Sequence, residues 1–346
     1  MNIIAQDNAV VNVFLSQTAN TAETAKTSDK EQKTKKFKEK IAEMKKKSDK
    51  VSKKMKKVSF ARGQRMEQCA NTIHFYKCPR CGKIEISSME RCRDKMCPLC
   101  NWILARQRLN NMVKTFNAID ISRYKFYFLT LTIKNVKPAE INEALQSMAK
   151  AWDKMLKRRD SKRYIKGWAR SVEITYNQIT NTLHPHYHVI IMYEKDCDYL
   201  LDGTYFKPVW KETLNIDYDP IIDFRPIRTK NITTEDEKEQ NRVYSAVLET
   251  FKYSTKSKDL LDMPLETFAQ LVNGIGGKRM VSYGGIIRKT RALLNIQDEE
   301  SEEEETTETK TCECGAEMLE TLAEWSMSAA GYTETFTNIL YRGEQQ

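Results

Sequence analysis

The 346-residue chain has no run of eighteen or more apolar residues, so nothing in the sequence reads as a membrane span. Its opening stretch, MNIIAQDNAVVNVFLSQ, lacks the charged start and unbroken apolar segment of a secretory signal. The expected location is therefore the cytoplasm, with no membrane partner. No internal repeat is present. Histidine is scarce, at four residues in the whole chain. The hydrophobic fraction of 40% is slightly low and the charged fraction of 30% is high, a balance that points to solvated tails around a globular body.

The net charge of +10 is unevenly spread. Residues 26–57 hold fifteen lysines against five acids, and residues 298–308 hold eight acids and no base. Setting both windows aside leaves a body of about +8, which suits a polyanionic partner because neutralised phosphates release counterions. Residues 1–60 read as a basic, disordered tail, in which Phe37, Ile41, Met44 and Val51 are spaced to support a helix formed on DNA. Residues 296–346 read as an acidic tail, disordered in part.

Between the tails, Trp102, Leu104, Leu109, Met112, Val113 and Phe116 mark a helix. The alternation in KFYFLTLTIK predicts a strand over 125–134, with Phe126, Phe128, Thr130 and Thr132 on one face. A helix is expected over 138–159. Strands over 169–176 and 184–193, joined by NQITNTL, read as a hairpin. A short helix around Trp210, a helix over 236–256 and a last strand over 278–287 complete the reading.

Three of the four histidines stand at 184, 186 and 188. On a strand they share one face, while Tyr187, Val189 and Ile191 point into the core. Imidazoles two apart on a stiff strand form a metal clip, because each offers a neutral nitrogen lone pair. Across the expected hairpin stands Glu173, flanked by Val172 and Ile174. An oxygen donor beside two imidazoles leaves open positions suited to Mg2+ or Mn2+ in contact with phosphate. Glu173 and His184 compete as third ligand to His186 and His188. Further on, Glu249 and Tyr253 are i, i+4 neighbours if helical, with Lys256 three residues later. A phenol, with a pKa of about 10, attacks only when a base or cation favours its phenolate. Glu249 is the candidate base, and Lys256 the candidate partner for charge on the reacting phosphate.

Six of the nine cysteines crowd between Cys69 and Cys100, and in a reducing compartment such crowding favours metal over disulfides. Cys78, Cys81, Cys97 and Cys100 have zinc-ribbon spacing and are the expected Zn2+ ligands. Cys69 or Cys92 is able to replace one of them. Cys312 and Cys314 receive no role.

FLTLTIKNV (128–136), HPHYHVIIM (184–192) and ETFKYSTKSKD (249–259) occur in that order, with KGWARSVEITYN (166–177) and GKRMVSYGGIIRK (277–289) as further matches. Over about 70–290 the chain resembles the rolling-circle plasmid replication initiators of the HUH endonuclease superfamily. The resemblance implies an α+β fold, with a central antiparallel sheet carrying the histidines, flanking helices and a helix presenting the tyrosine. The cysteine-rich segment, 65–102, precedes this endonuclease domain, 103–295. It also implies metal-dependent nicking of plasmid origin DNA by Tyr253 through a covalent 5′-phosphotyrosine. The nick leaves a 3′-OH primer for host helicase and polymerase, Glu249 activates water at termination, and His186 and His188 match the paired metal ligands. A mobilisation relaxase or single-tyrosine transposase would share this chemistry. A non-catalytic zinc-containing DNA-binding protein is the contrasting expectation.

Overall fold

The computed structural model describes residues 26–227, 256–297 and 310–336. The chain divides into two units, Met1–Ile103 with Glu299–Gln346, and Leu104–Asp298. The first unit is thus discontinuous in sequence, with the second inserted within it.

The first unit begins with a long helix, α1 (Lys26–Val58), followed by α2 (Phe60–Gln68), β1 (Thr72–Lys77) and β2 (Ile84–Met89). The expectation of a disordered basic tail to residue 60 does not hold for its second half. Ile41, Met44, Val51 and Met55 recur at helical spacing, and all are buried. Lys45 is buried on the same face, its ammonium bonded to the Glu67 carbonyl at 2.6 Å and to Asp49 at 2.8 Å. Lys46, Lys50, Lys53 and Lys57 lie exposed on the other sides of the helix, where charge repulsion is screened.

Helix α3 (Pro98–Asn117) leads into the second unit. There follow β3 (Tyr124–Thr132), α4 (Ile141–Lys157), α5 (Arg159–Tyr164), β4 (Gly167–Asn177), β5 (Thr182–Glu194), α6 (Gly203–Leu214), β6 (Ile222–Pro226), α7 (Ser257–Asp262), α8 (Leu265–Gly274), β7 (Val281–Gly284) and α9 (Gly285–Leu293). The five strands form one sheet in the order β6-β3-β5-β4-β7, every neighbouring pair antiparallel. The fold is therefore α+β. The expected β4–β5 hairpin is present, its turn closed by the Asn177 carboxamide, which accepts the Ile179 and Thr180 N–H groups.

Strand β5 is buried on both sides over most of its length, and two sets of helices cover it. Tyr187 meets Trp152 of α4 and Trp210 of α6, with ring centroids 6.3 and 5.9 Å away. Arg170 lies over the Tyr187 ring at 4.4 Å in the same layer. On the other side Ile190 and Met192 pack with Leu109, Met112 and Phe116 of α3 and Ile287 of α9. The β5 members of this second cluster are Ile190 and Met192, and the histidines at 184, 186 and 188 lie outside it.

The expected strand over 278–287 is shorter than the sequence pattern implies. It ends at Gly284, and α9 begins at Gly285. Gly285 has φ of +59°, and a Cβ there would collide with the Lys166 carbonyl. A left-handed residue breaks strand geometry, and the next N–H, that of Ile286, donates to Lys166 O at 2.9 Å. The helix expected over 236–256 falls almost wholly outside the described residues.

After the second unit the chain returns to the first with β8 (Leu319–Ser326) and β9 (Gly331–Phe336). Strand β8 pairs with β1, giving a four-stranded sheet β2-β1-β8-β9. Tyr332 OH donates to Ala70 O at 2.7 Å, and Trp325 Nε1 donates to Asp49 of α1 at 3.0 Å. Among the described residues no helix is long and apolar enough to cross a membrane.

Trp152 is fully buried against Trp168, Tyr187 and Arg170. Trp152→Ala is expected to destabilise the second unit by about 3–5 kcal/mol, read as a lower urea midpoint. A change within about 0.5 kcal/mol would show that this layer does not hold the sheet.

Candidate metal centres

The register of β5 between its neighbours builds the first centre. Glu173 pairs with His186, Ser171 with His188 and Thr175 with His184 on one side, and Thr130 with His188 and Thr132 with His186 on the other. The two-residue period of each strand then sends Glu173 and the imidazoles to one face. One ligand atom each from Glu173, His186 and His188 lies within 4.8 Å of the others. Glu173 Oε2 is 2.9 Å from His188 Nε2 and 3.5 Å from His186 Nε2. Glu173 and His186 are buried, while His188 is half-buried. His184 is not part of this trio. Its ring is 5.3 Å from that of His186, and its Nδ1, buried, makes no hydrogen bond.

The outer nitrogens are held from behind. His186 Nδ1 lies 3.2 Å from the His184 carbonyl, an acceptor, so this nitrogen carries the proton and Nε2 presents a lone pair. His188 Nδ1 lies 3.4 Å from Thr130 Oγ1, and its ring stacks on Phe128 at 5.3 Å. Lone pairs of imidazole and carboxylate facing each other repel unless a cation or proton stands between them. The donor set, two imidazoles and one carboxylate, therefore fits a divalent cation. Burial opposes ionisation of Glu173, but the adjoining His186 and His188 imidazoles outweigh it and hold the carboxyl well below the usual carboxylate range. Burial, reinforced by neighbouring His186, pushes His184 below its ordinary value, which favours the neutral ring.

The segment after the tyrosine motif reaches the same place. Lys256 Nζ lies 4.0 Å from Glu173 Oε1, and the Asp259 carboxylate accepts the Tyr176 N–H at 3.1 Å. Tyr253 and Glu249, the candidate nucleophile and base, lie outside the described residues. Beside His184, a shallow open depression is lined by Asn135, Thr175, Tyr176, Asn177, Gln178 and Ile179. Thr130 and Asp259 were not singled out in the sequence. The alternation that places His188 on its face would have placed Thr130 opposite it, whereas the contact made by Asp259 depends on a distant segment and left no local signal.

The cysteines regroup. Zinc-ribbon spacing put Cys78, Cys81, Cys97 and Cys100 together, but the structure divides that quartet. Cys97 and Cys100 converge with Cys69 and Cys92, and Cys78 and Cys81 converge with Cys312 and Cys314. The reason is the intervening β1–β2 pairing, which carries the 78–81 turn to the far end of the sheet from residues 69 and 90–100. In the first cluster the Sγ atoms of Cys69 and Cys100, Cys92 and Cys100, and Cys97 and Cys69 are 3.5, 3.6 and 3.8 Å apart. Ser48 of α1 touches Cys97 Sγ at 3.3 Å and accepts the Leu99 N–H at 3.1 Å, which builds the helix into the cluster. All nine cysteines are free thiols.

A family model described as "Replication protein" matches residues 83–333. "Protein rep" of Streptococcus pneumoniae serotype 2 is 29% identical over 248 residues, covering 69% of this chain and 73% of its own. "Protein rep" of Bacillus amyloliquefaciens is 27% identical over 289 residues, covering 78% and 84%. A "Replication protein" of Staphylococcus aureus is 31% identical over 185 residues, covering 51% and 76%. No solved structure matches the chain.

Thr130→Val removes the hydroxyl that stands 3.4 Å from His188 Nδ1. Loss of such an orienting partner is expected to weaken Mn2+ binding about 10–100-fold, measured by calorimetric titration, with the circular dichroism spectrum unchanged. Undiminished Mn2+ affinity would mean that Thr130 does not orient the ring.

Proposed function

The chain belongs to the replication protein (Rep) family, and from that premise we propose that it initiates rolling-circle replication of a plasmid by nicking one strand of origin DNA. The observation that carries this reading is the convergence of Glu173, His186 and His188 on one sheet face, with Lys256 of the tyrosine motif 4.0 Å from Glu173 and Asp259 bonded to the backbone of the same strand. Binding alone would not require a carboxylate and two oriented imidazoles to face one another inside a sheet.

In this reading Tyr253 is the nucleophile. Its phenolate oxygen attacks the scissile phosphorus, forming a phosphotyrosine at the 5′ end. The bond to the 3′ oxygen breaks, and that oxygen takes up a proton to become the 3′-OH primer used by host helicase and polymerase. Glu249 accepts the phenol proton in the forward step and activates water at termination. Lys256 offsets charge at the reacting phosphate. Glu173, His186 and His188 would hold Mg2+ or Mn2+, which would supply Lewis-acid polarisation of that phosphate. Glu173 enters as the anionic donor, His186 and His188 as neutral ones, and His184 stands next to them beside the polar depression where a nucleotide can be received. Zn2+ in the cluster of Cys69, Cys92, Cys97 and Cys100 holds α1 and the start of α3 together. The basic body supplies the sequence-independent part of DNA affinity.

With supercoiled plasmid carrying the cognate origin, the full chain and Mn2+ are expected to give nicked circles and a protein–DNA adduct mapping to Tyr253. Tyr253→Phe should abolish both while retaining origin binding in a mobility shift. Glu173→Ala, or chelation with EDTA, should lower nicking by at least about 100-fold, the order seen when a group acting on developing charge is lost. An adduct on Tyr244 would overturn the residue assignment, and origin binding without any nick in the native protein would overturn the enzymatic reading.

A further inference from the structure

The pair Cys312 and Cys314, which local spacing left without a role, lies across from Cys78 and Cys81 in the first unit. Cys78 Sγ is 3.4 Å from Cys314 Sγ, and Cys81 Sγ is 3.5 Å from Cys312 Sγ. All four sulfurs lie within 4.8 Å of one another. Four sulfurs at about 2.3 Å from one zinc ion sit about 3.8 Å apart at the corners of a tetrahedron. A disulfide requires about 2.05 Å and joins sulfurs in pairs. Fourfold convergence at these separations matches a closed metal shell.

Both pairs sit in turns shaped to aim their sulfurs inward. In the first, Cys78 N donates to Lys83 O at 2.8 Å and Gly82 N to Cys78 O at 3.0 Å. In the second, Cys312 N donates to Ala316 O and Gly315 N to Cys312 O, both at 2.8 Å. Each turn has a glycine directly after its second cysteine, Gly82 with φ of +69° and Gly315 with φ of +80°, a conformation glycine adopts without strain. The Cys81 N–H points at Cys78 Sγ from 3.4 Å. Cations surround the group. Arg80 donates to Cys314 O at 3.0 Å, Lys83 bridges Glu85 and Glu313 at 3.0 and 2.9 Å, and Lys310 pairs with Glu85. These ion pairs and the Arg80 bond brace the two turns against each other.

We propose that Cys78, Cys81, Cys312 and Cys314 form a second tetrathiolate zinc site, independent of the first, which clasps the C-terminal segment 310–336 onto the N-terminal module. The pairing of Lys77 with Leu319 at the end of β1 and β8 brings the two turns side by side. The local apolar core at the two turns is small, with Cys78, Cys312 and Met318 as its buried members, and adds little to the β1–β8 ladder that ends there. A metal with four strong bonds adds more.

The test is zinc content of the full chain, purified under reducing conditions and measured by plasma mass spectrometry. About two ions per chain are expected, and about one in the Cys312→Ser/Cys314→Ser variant. In that variant mild trypsin treatment should remove segment 310–336 faster than from the native chain. About one ion in the native chain, two retained in the variant, or none in the variant would each overturn the proposal. So would recovery of Cys78–Cys314 or Cys81–Cys312 disulfides from the zinc-loaded protein. Alkylation gives a readout that needs no variant. Cys312 and Cys314 should resist iodoacetamide while zinc is bound and react after chelation, and labelling with zinc in place would refute the site.

Discussion

The register between β4 and β5 places Glu173 directly opposite His186. Most of what the second unit can do depends on that pairing. A slip of one residue would turn the carboxylate to the other face and bury it beside Tyr187 and Trp152. The apolar alternation prevents the slip, since Val172 and Ile174 would have to leave the core that they share with Tyr187, Val189 and Ile191 of β5. The polar site and the apolar layer are thus two sides of one constraint. Rigidity of the packed side fixes the geometry of the open side, and the Asn177-capped turn fixes the count of residues between them.

Around that constraint the helices are placed asymmetrically. Those carrying Trp152 and Trp210 cover one face of β5 near its histidine end, while those carrying Met112 and Ile287 cover the other face farther along. The three donors stand at the histidine end of the strand, beyond the second set of helices, where Glu173 and His186 are desolvated enough for electrostatic interactions to be strong.

The first unit solves a different problem. Its sheet is assembled from segments more than two hundred residues apart in sequence, and its long helix is rich in lysine. Two cysteine clusters stand where these remote segments meet. Ser48 links α1 to one cluster, and the β1–β8 pairing delivers the other. Two sets of four account for eight of the nine cysteines.

The sequence by itself determined β3, α4 and the β4–β5 hairpin of the second unit and the face of its central strand, but not β6, α7 or α8. Alternation and helical spacing are local properties, and the three histidines at 184, 186 and 188 share a face however the sheet is assembled. It also suggested Glu173, because a hairpin pairs neighbours in sequence. Only the tertiary structure decided which donors meet. It set His184 apart from the trio, put Thr130 behind His188 and brought Lys256 to Glu173. It also gave the lysine-rich helix a buried face and exchanged the partners of Cys78 and Cys81. In each case the partner is remote in sequence, and a contact between remote segments is fixed by strand order and packing, which leave no period or spacing in the chain itself.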